Sequence, residues 1–255
     1  MYVRPKKSLG QHFLIDENIA KKIINSLTSE SSNILEVGPG KGMLTKYLFE
    51  NKKWDTRVIE IDRESIDYLQ MFFPDNKNQI IQGDFLKTDL KEIFNKECTV
   101  IGNFPYNISS QILFKVIENR EKVIEVVCML QKEVAQRIAS PPGSKSYGIL
   151  SVFLQAFYDI SYLFSVSEHV FNPPPKVKSA VIRLTRNDKK QLDCDESLFF
   201  KVVKTAFNQR RKTLRNALKV FNFTSDENIN ELLGKRAEQL SIADFVYLIN
   251  SLTDL

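Results

Sequence analysis

The chain of 255 residues is poor in residues that build metal centres or covalent cross-links, with two histidines, His12 and His169, and three cysteines, Cys98, Cys128 and Cys194. The histidines are too few and too far apart to form a metal site, so no bound metal is expected. The cysteines lack ligand spacing, and an odd number leaves one unpaired under any disulfide scheme; a reducing compartment fits best. Long hydrophobic runs are missing too. Residues 1–10 are polar and basic where a secretory leader needs an apolar stretch, and no segment reaches the length of a membrane span. A soluble, cytoplasmic chain without membrane contact is therefore expected. Repeats and low-complexity segments are absent. What is present is 43% hydrophobic residues, enough to bury a full core in one large domain and a small one. The net charge of +5 is a modest basic excess that admits a polyanionic partner without requiring one.

Apolar side chains at helical spacing, Ile19, Ile23, Ile24 and Leu27, predict a helix over 16–27. Strands are then predicted at 33–37, 56–61, 79–82, 99–102 and 123–130, with helices over 43–51, 63–73 and 131–139. This alternation implies a mostly parallel, doubly wound α/β sheet. Two later runs, 160–166 and 180–185, flank Phe171-Asn172-Pro173-Pro174-Pro175. Three prolines cannot join a ladder, so this is a stiff exposed loop, and strands joined without a helix read as an antiparallel hairpin at the sheet's edge. Between Arg186 and Ser197 the composition turns polar, and the remainder has helical periodicity without a strand signal. The expected domains are 1–186, α/β, and 187–255, small and all-α.

The run Gly38-Pro39-Gly40-Lys41-Gly42 lies between a strand and a helix. Glycines there let the backbone approach a ligand, and the helix start offers free N–H groups. The spacing is not a dinucleotide fingerprint, which needs its third glycine where this chain has Met43, and not a phosphate-binding loop, because Lys41 is followed by Gly42. Taken alone it is equally an ordinary tight turn. Glu60 ends the next strand and can accept hydrogen bonds from both hydroxyls of a ribose; Asp62 is its near competitor. Asp84 follows the third strand and can accept from an adenine amino group, although an acid at such a place is often a solvated loop residue or a helix cap. Three such matches on successive strand ends, the glycine turn, Glu60 and Asp84, point to a nucleoside ligand.

Asn103-Phe104-Pro105-Tyr106 follows the fourth strand. Adenine's N6 amine is a poor nucleophile because its lone pair is delocalised into the ring. Hydrogen bonds from its two N–H groups to the Asn103 side-chain carbonyl and to a backbone carbonyl, that of Phe104, would pull the nitrogen toward tetrahedral geometry. Pro105 would hold that backbone rigid and Tyr106 would stack on the extruded base. Such an in-line displacement needs no ionised base, and alignment would supply most of the acceleration. The bland alternative is a plain turn after a buried strand. Farther on, Lys201, Lys204, Arg210, Arg211, Lys212, Arg215 and Lys219 form a basic stretch without an acid. It is either a solvated face or a seat for RNA phosphates.

With these residues in view, Lys7-Ser8-Leu9-Gly10-Gln11-His12-Phe13-Leu14, Glu36-Val37-Gly38-Pro39-Gly40-Lys41-Gly42, Ile59-Glu60-Ile61-Asp62, Gly102 to Ser109 and Pro173-Pro174-Pro175-Lys176-Val177 resemble the ribosomal RNA adenine dimethyltransferase family over nearly the whole chain. The resemblance implies a Rossmann-like class I methyltransferase sheet with a small helical C-terminal domain, and S-adenosylmethionine as cofactor. It implies that His12, Leu14 and Gly38, with Gly40, surround the methionine part of the cofactor, that Glu60 takes its ribose and Asp84 its adenine, and that Asn103 touches both cofactor and target amine. It implies that Phe171 sandwiches the target base opposite Tyr106. Phe104 departs from the family, where a smaller aliphatic residue is usual. Ala206 to Asn216, containing Arg210, Arg211, Lys212 and Arg215, resembles the second domain of enzymes that act on small-subunit RNA. The implied activity is dimethylation of two adjacent adenines near the 3′ end of 16S ribosomal RNA within the small subunit, by a monomer, with a role in subunit biogenesis. A large-subunit adenine methyltransferase and an assembly factor with catalysis secondary stand as alternatives.

Overall fold

In the computed structural model, which describes residues 3–253, the valine- and isoleucine-rich runs become strands. Positions 1, 2, 254 and 255, the outer ends of the expected domains, lie outside the described residues. The strands are β1 (Phe13–Leu14), β2 (Asn33–Val37), β3 (Asp55–Glu60), β4 (Ile80–Gln82), β5 (Cys98–Asn103), β6 (Val123–Gln131), β7 (Tyr158–Val166), β8 (Phe171–Asn172) and β9 (Ser179–Arg186). The helices are α1 (Glu17–Ile24), α2 (Thr45–Glu50), α3 (Arg63–Phe72), α4 (Leu90–Ile93), α5 (Ser109–Glu118), α6 (Lys132–Ala139), α7 (Ile149–Gln155), α8 (Glu196–Asn208), α9 (Leu214–Ala217), α10 (Glu227–Gly234) and α11 (Ile242–Asn250). Aspartates start many of them: Asp16, Asp62, Asp89, Asp195 and Asp226 accept from N–H groups in the first turns of α1, α3, α4, α8 and α10, and Ser241 closes a capping box with Asp244 on α11.

Seven strands form one sheet in the order β4-β3-β2-β5-β6-β9-β7. β2 to β6 pair in parallel, and β9 runs antiparallel to β6 from Glu125↔Thr185 to Gln131↔Ser179. The two late runs lie side by side at the edge. Ile34, Leu35, Val58, Ile59, Val100, Ile101, Val126 and Val127 are at most 2% exposed, as expected of central parallel strands covered on both faces. The strand order reverses between β2 and β5, and in open α/β sheets the crevice outside the carboxyl ends at such a reversal receives ligands. β1 and β8 stand apart as a two-stranded antiparallel ladder.

The chain divides into two compact units: one runs through Ala135 and takes in Ile160–Arg186, and the other comprises Gln136–Asp159 and the chain from Asn187 onward. The unit boundary after Arg186 coincides with the polar break in the sequence, and Gln136–Asp159 groups with the helices instead of with the sheet. Aromatic packing within the second unit gives the reason. Phe153 of α7 meets Phe199 and Phe200 of α8 at ring-centroid distances of 6.0 and 4.6 Å, and Tyr147 meets Phe207 at 6.3 Å. Gln155 Nε2 ties the segment internally by donating to the carbonyls of Ile138 and Ser140. Among the described residues no helix is long and apolar enough to cross a membrane, and none of their His, Cys, Asp and Glu side chains form a group of three or more that could hold a metal.

Candidate active site

Backbone geometry shapes the floor of the site. After β2 the chain turns through Gly38 and Gly40, both in the left-handed region at φ +69° and +55°. A Cβ on Gly40 would also sit 2.8 Å from the Phe13 ring, so a side chain there is excluded by conformation and by space. Gly102, just before Asn103, meets a stricter limit: a Cβ would lie 2.5 Å from the carbonyl oxygen of Val37, a backbone atom of the paired strand. These close approaches bring the ends of β2, β3 and β5 around a cavity of about 260 Å³. His12, Leu14, Gly38, Gly40, Glu60, Asp84, Asn103, Phe104, Pro105 and Tyr106 all line it.

Glu60 is 5% exposed and held by three backbone donors: Gly40 N–H to Oε2 at 3.0 Å, and the N–H groups of Ile61 and Asp62 to Oε1 at 2.9 Å each. Burial pushes its carboxyl above the usual range, opposed by these N–H groups. A carboxylate has about four acceptor positions, so one, on Oε2, is left for a ligand. The open position suits one ribose hydroxyl, where two were expected of Glu60. Asp84 Oδ1 accepts from Leu86 N–H at 3.0 Å, and Lys87 Nζ stands 3.7 Å from Oδ2.

Asn103 Nδ2 donates to the carbonyl oxygen of His12 at 2.9 Å. A carbonyl only accepts, so this contact assigns the amide orientation and leaves Asn103 Oδ1 as an acceptor without a partner among the described residues. Phe104 N–H donates to Met129 O at 3.0 Å, fixing the Asn103–Phe104 peptide. The Phe104 ring is 1% exposed and packs over Gly102, where a Cβ would come within 3.1 Å of it; the glycine therefore accommodates the unusual aromatic in the core. Tyr106 Oη shares a hydrogen bond of 2.5 Å with Ser179 Oγ, and burial raises its pKa. Its ring lies 5.5 Å from that of His12, whose Nδ1 donates to Pro173 O at 2.8 Å.

Phe171 is elsewhere. It does not line the cavity; it pairs with Leu14 in the β1–β8 ladder and is 3% exposed in a cluster with Ile23, Met129 and Val181. Expected opposite Tyr106, its side chain is held in the core by this ladder. Two features were missed. Glu36, 1% exposed, lines the cavity with Oε2 accepting from Thr45 Oγ1 at 2.6 Å, and burial, assisted by the nearby Glu60 carboxyl, pushes its pKa to about 8. Its place two residues before Gly38 was the available signal. Asp62, read only as a competitor of Glu60, caps α3 and binds Lys6 and Gln11.

In the helical unit, Arg210, Arg211, Lys212 and Arg215 are exposed around the turn between α8 and α9. Arg210 donates to the Lys145 carbonyl and stands 3.6 Å from Glu238, and Arg215 donates to Asn230. The side chains of Arg211 and Lys212 have no partner among the described residues.

The acceptor set fits S-adenosylmethionine: a buried carboxylate with one open position would accept from a hydroxyl, Asp84 would accept from an amino group, and the glycine turn leaves room for the chain of the ligand. A family model described as ribosomal RNA adenine dimethylase matches residues 3–254. The chain is 56% identical over 253 residues to ribosomal RNA small subunit methyltransferase A of Cytophaga hutchinsonii, covering 98% of each chain. It is also 56% identical to the protein of the same name from Parabacteroides distasonis, over 96% of this chain and 93% of that one. Among solved structures, a dimethyladenosine transferase from Plasmodium falciparum is similar at a TM-score of 0.76 and 26% identity, covering 93% of this chain and 96% of that one. The 23S rRNA methyltransferase ErmE shares the fold at a TM-score of 0.70 and 21% identity, over 93% of this chain and 99% of that one.

Proposed function

Because this chain belongs to the ribosomal RNA adenine dimethylase family, we propose that it methylates the N6 amines of two adjacent adenines near the 3′ end of 16S ribosomal RNA, in the small subunit, with S-adenosylmethionine as methyl donor. The observation that carries the reading is the Asn103 carboxamide, whose N–H side is occupied by His12 and whose Oδ1 is left to accept. The relatives' shared name, small subunit methyltransferase, supports the choice of RNA over the large-subunit alternative.

The cofactor supplies an electrophilic methyl group on a sulfonium. Glu60 Oε2 holds one ribose hydroxyl and Asp84 the adenine edge, which fixes the donor at the ends of β3 and β4. Asn103 Oδ1 and the Phe104 carbonyl accept the two N–H groups of the target amine and draw its lone pair out of the ring. Pro105 restricts the backbone of Phe104 before it and so keeps that carbonyl from turning away. Tyr106, anchored through Ser179, offers its ring to the extruded base. Alignment is the main source of rate. Arg211 and Lys212 bind RNA phosphates, and the enzyme works as a cytoplasmic monomer.

The test is to incubate the protein with labelled S-adenosylmethionine and with unmodified small and large subunits separately, then map the modified nucleotides. Two neighbouring N6,N6-dimethyladenines in the small subunit are expected. Label confined to large-subunit RNA, or none in either, contradicts the reading.

A further inference from the structure

The segment 6–14 lines the cavity from Ser8 to Leu14 and is tied down at both ends. At its start, Lys6 Nζ pairs with Asp62 Oδ1 and with Glu64 at 3.1 Å, while Gln11 Nε2 donates to Asp62 Oδ2 at 3.2 Å. Lys6 N–H donates to Gln11 Oε1 at 2.9 Å, which turns the glutamine amine toward Asp62. The Asp62 side chain is 1% exposed and also accepts from Ser65 Oγ at 3.0 Å, so the anchor is rigid. Lys6 and Gln11 hold its carboxyl below the usual aspartate range against the opposing effect of burial. At the other end, β1 pairs with β8, and His12 Nδ1 reaches Pro173 O. Between these ties lies the His12 carbonyl, which among the described residues sets which way the Asn103 amide faces.

We propose that this strap is the positioning element for Asn103, with Asp62 as its anchor. Resting on the function proposed above, this assigns the strap a role in the transfer step in addition to covering the cofactor. A primary amide that loses the His12 carbonyl is free to rotate, and half of its orientations present N–H groups, which repel the target amine, where a carbonyl is needed. Asp62 is a positioning residue: it touches neither cofactor nor base in this scheme, and its influence reaches Asn103 through the backbone of residues 6–12.

The variant Lys6→Ala/Gln11→Ala removes both ties while leaving the helix-capping bonds of Asp62. Single-turnover methylation at saturating S-adenosylmethionine and small subunits should be slower by roughly 10- to 100-fold, and added cofactor should not restore it. Lys6→Arg should retain most of the rate. In an Asn103→Ala background the strap substitutions should cause no further loss, because the group they position is gone. A saturated rate within about twofold of wild type, with only the KM for cofactor raised, would show a strap that merely closes the cofactor pocket and would overturn the proposal. Additive losses in the Asn103→Ala background would overturn it as well. Should the double variant fail to fold, Asp62→Asn, which keeps a capping oxygen, is read by the same criteria. Wild-type protein that methylates neither subunit refutes the function itself, an outcome distinct from an active wild type with an unaffected variant.

Discussion

Three of the four acceptor positions of the Glu60 carboxylate are filled by the backbone of Gly40, Ile61 and Asp62, and this sets the consequence of changing it. Glu60→Gln places an NH2 group against at least one of these N–H donors and removes the charge from the remaining acceptor. Affinity for S-adenosylmethionine should fall by about 1.5–3 kcal/mol, the range for a hydrogen bond to a charged group, with RNA affinity unchanged. Calorimetry that finds cofactor binding intact would take Glu60 out of the site. At this scale the sequence was readable wherever a polar residue ended a buried strand, because strand polarity alone aims Glu60, Asp84 and Asn103 at one edge of the sheet. The burial of Phe171 was not readable, since it stands just before a run of prolines and depends on pairing with Leu14, far away in the chain. Lys6 was hidden for a similar reason: it sits among other basic residues, and its partner Asp62 lies 56 positions on.

Among the elements, the turn between α8 and α9 divides its cations into two kinds. Arg210 and Arg215 are engaged within the helical unit, whereas Arg211 and Lys212 are free to meet phosphate. Neutralising Arg211 and Lys212 together should flatten the log–log salt dependence of RNA binding by about 0.7–0.9 for each phosphate no longer neutralised, and leave cofactor affinity as it was. Arg210→Ala should move that slope less. Binding measured across a salt series checks this, and an unchanged slope in the double variant would mean a solvated turn. The helix α7 escaped sequence reading because Leu150 to Leu154 are all buried, and a helix apolar on every side has no periodic stripe. The helix α5 was legible but unassigned: Ser109, Ile112, Leu113, Val116 and Ile117 have the spacing of one buried face.

For the molecule as a whole, the parallel sheet, its edge hairpin and the break after Arg186 follow from hydrophobic period and composition. The grouping of Gln136–Asp159 with the helices does not, because it rests on ring packing between Phe153 and α8, which no local pattern announces. The motifs at four strand ends converge on one cavity, so the same topology that makes the fold legible also makes the site legible. The account holds that rate arises there from a fixed amide carbonyl and a rigid backbone carbonyl acting on an amine, without an ionised base. Single-turnover methylation by Asn103→Ala at saturating cofactor and small subunits tests this most directly. The account predicts a folded protein that binds both substrates and is slower by about 10²–10³, the usual loss for one positioned hydrogen-bonding group. A folded Asn103→Ala enzyme that methylates at close to the wild-type rate would contradict it.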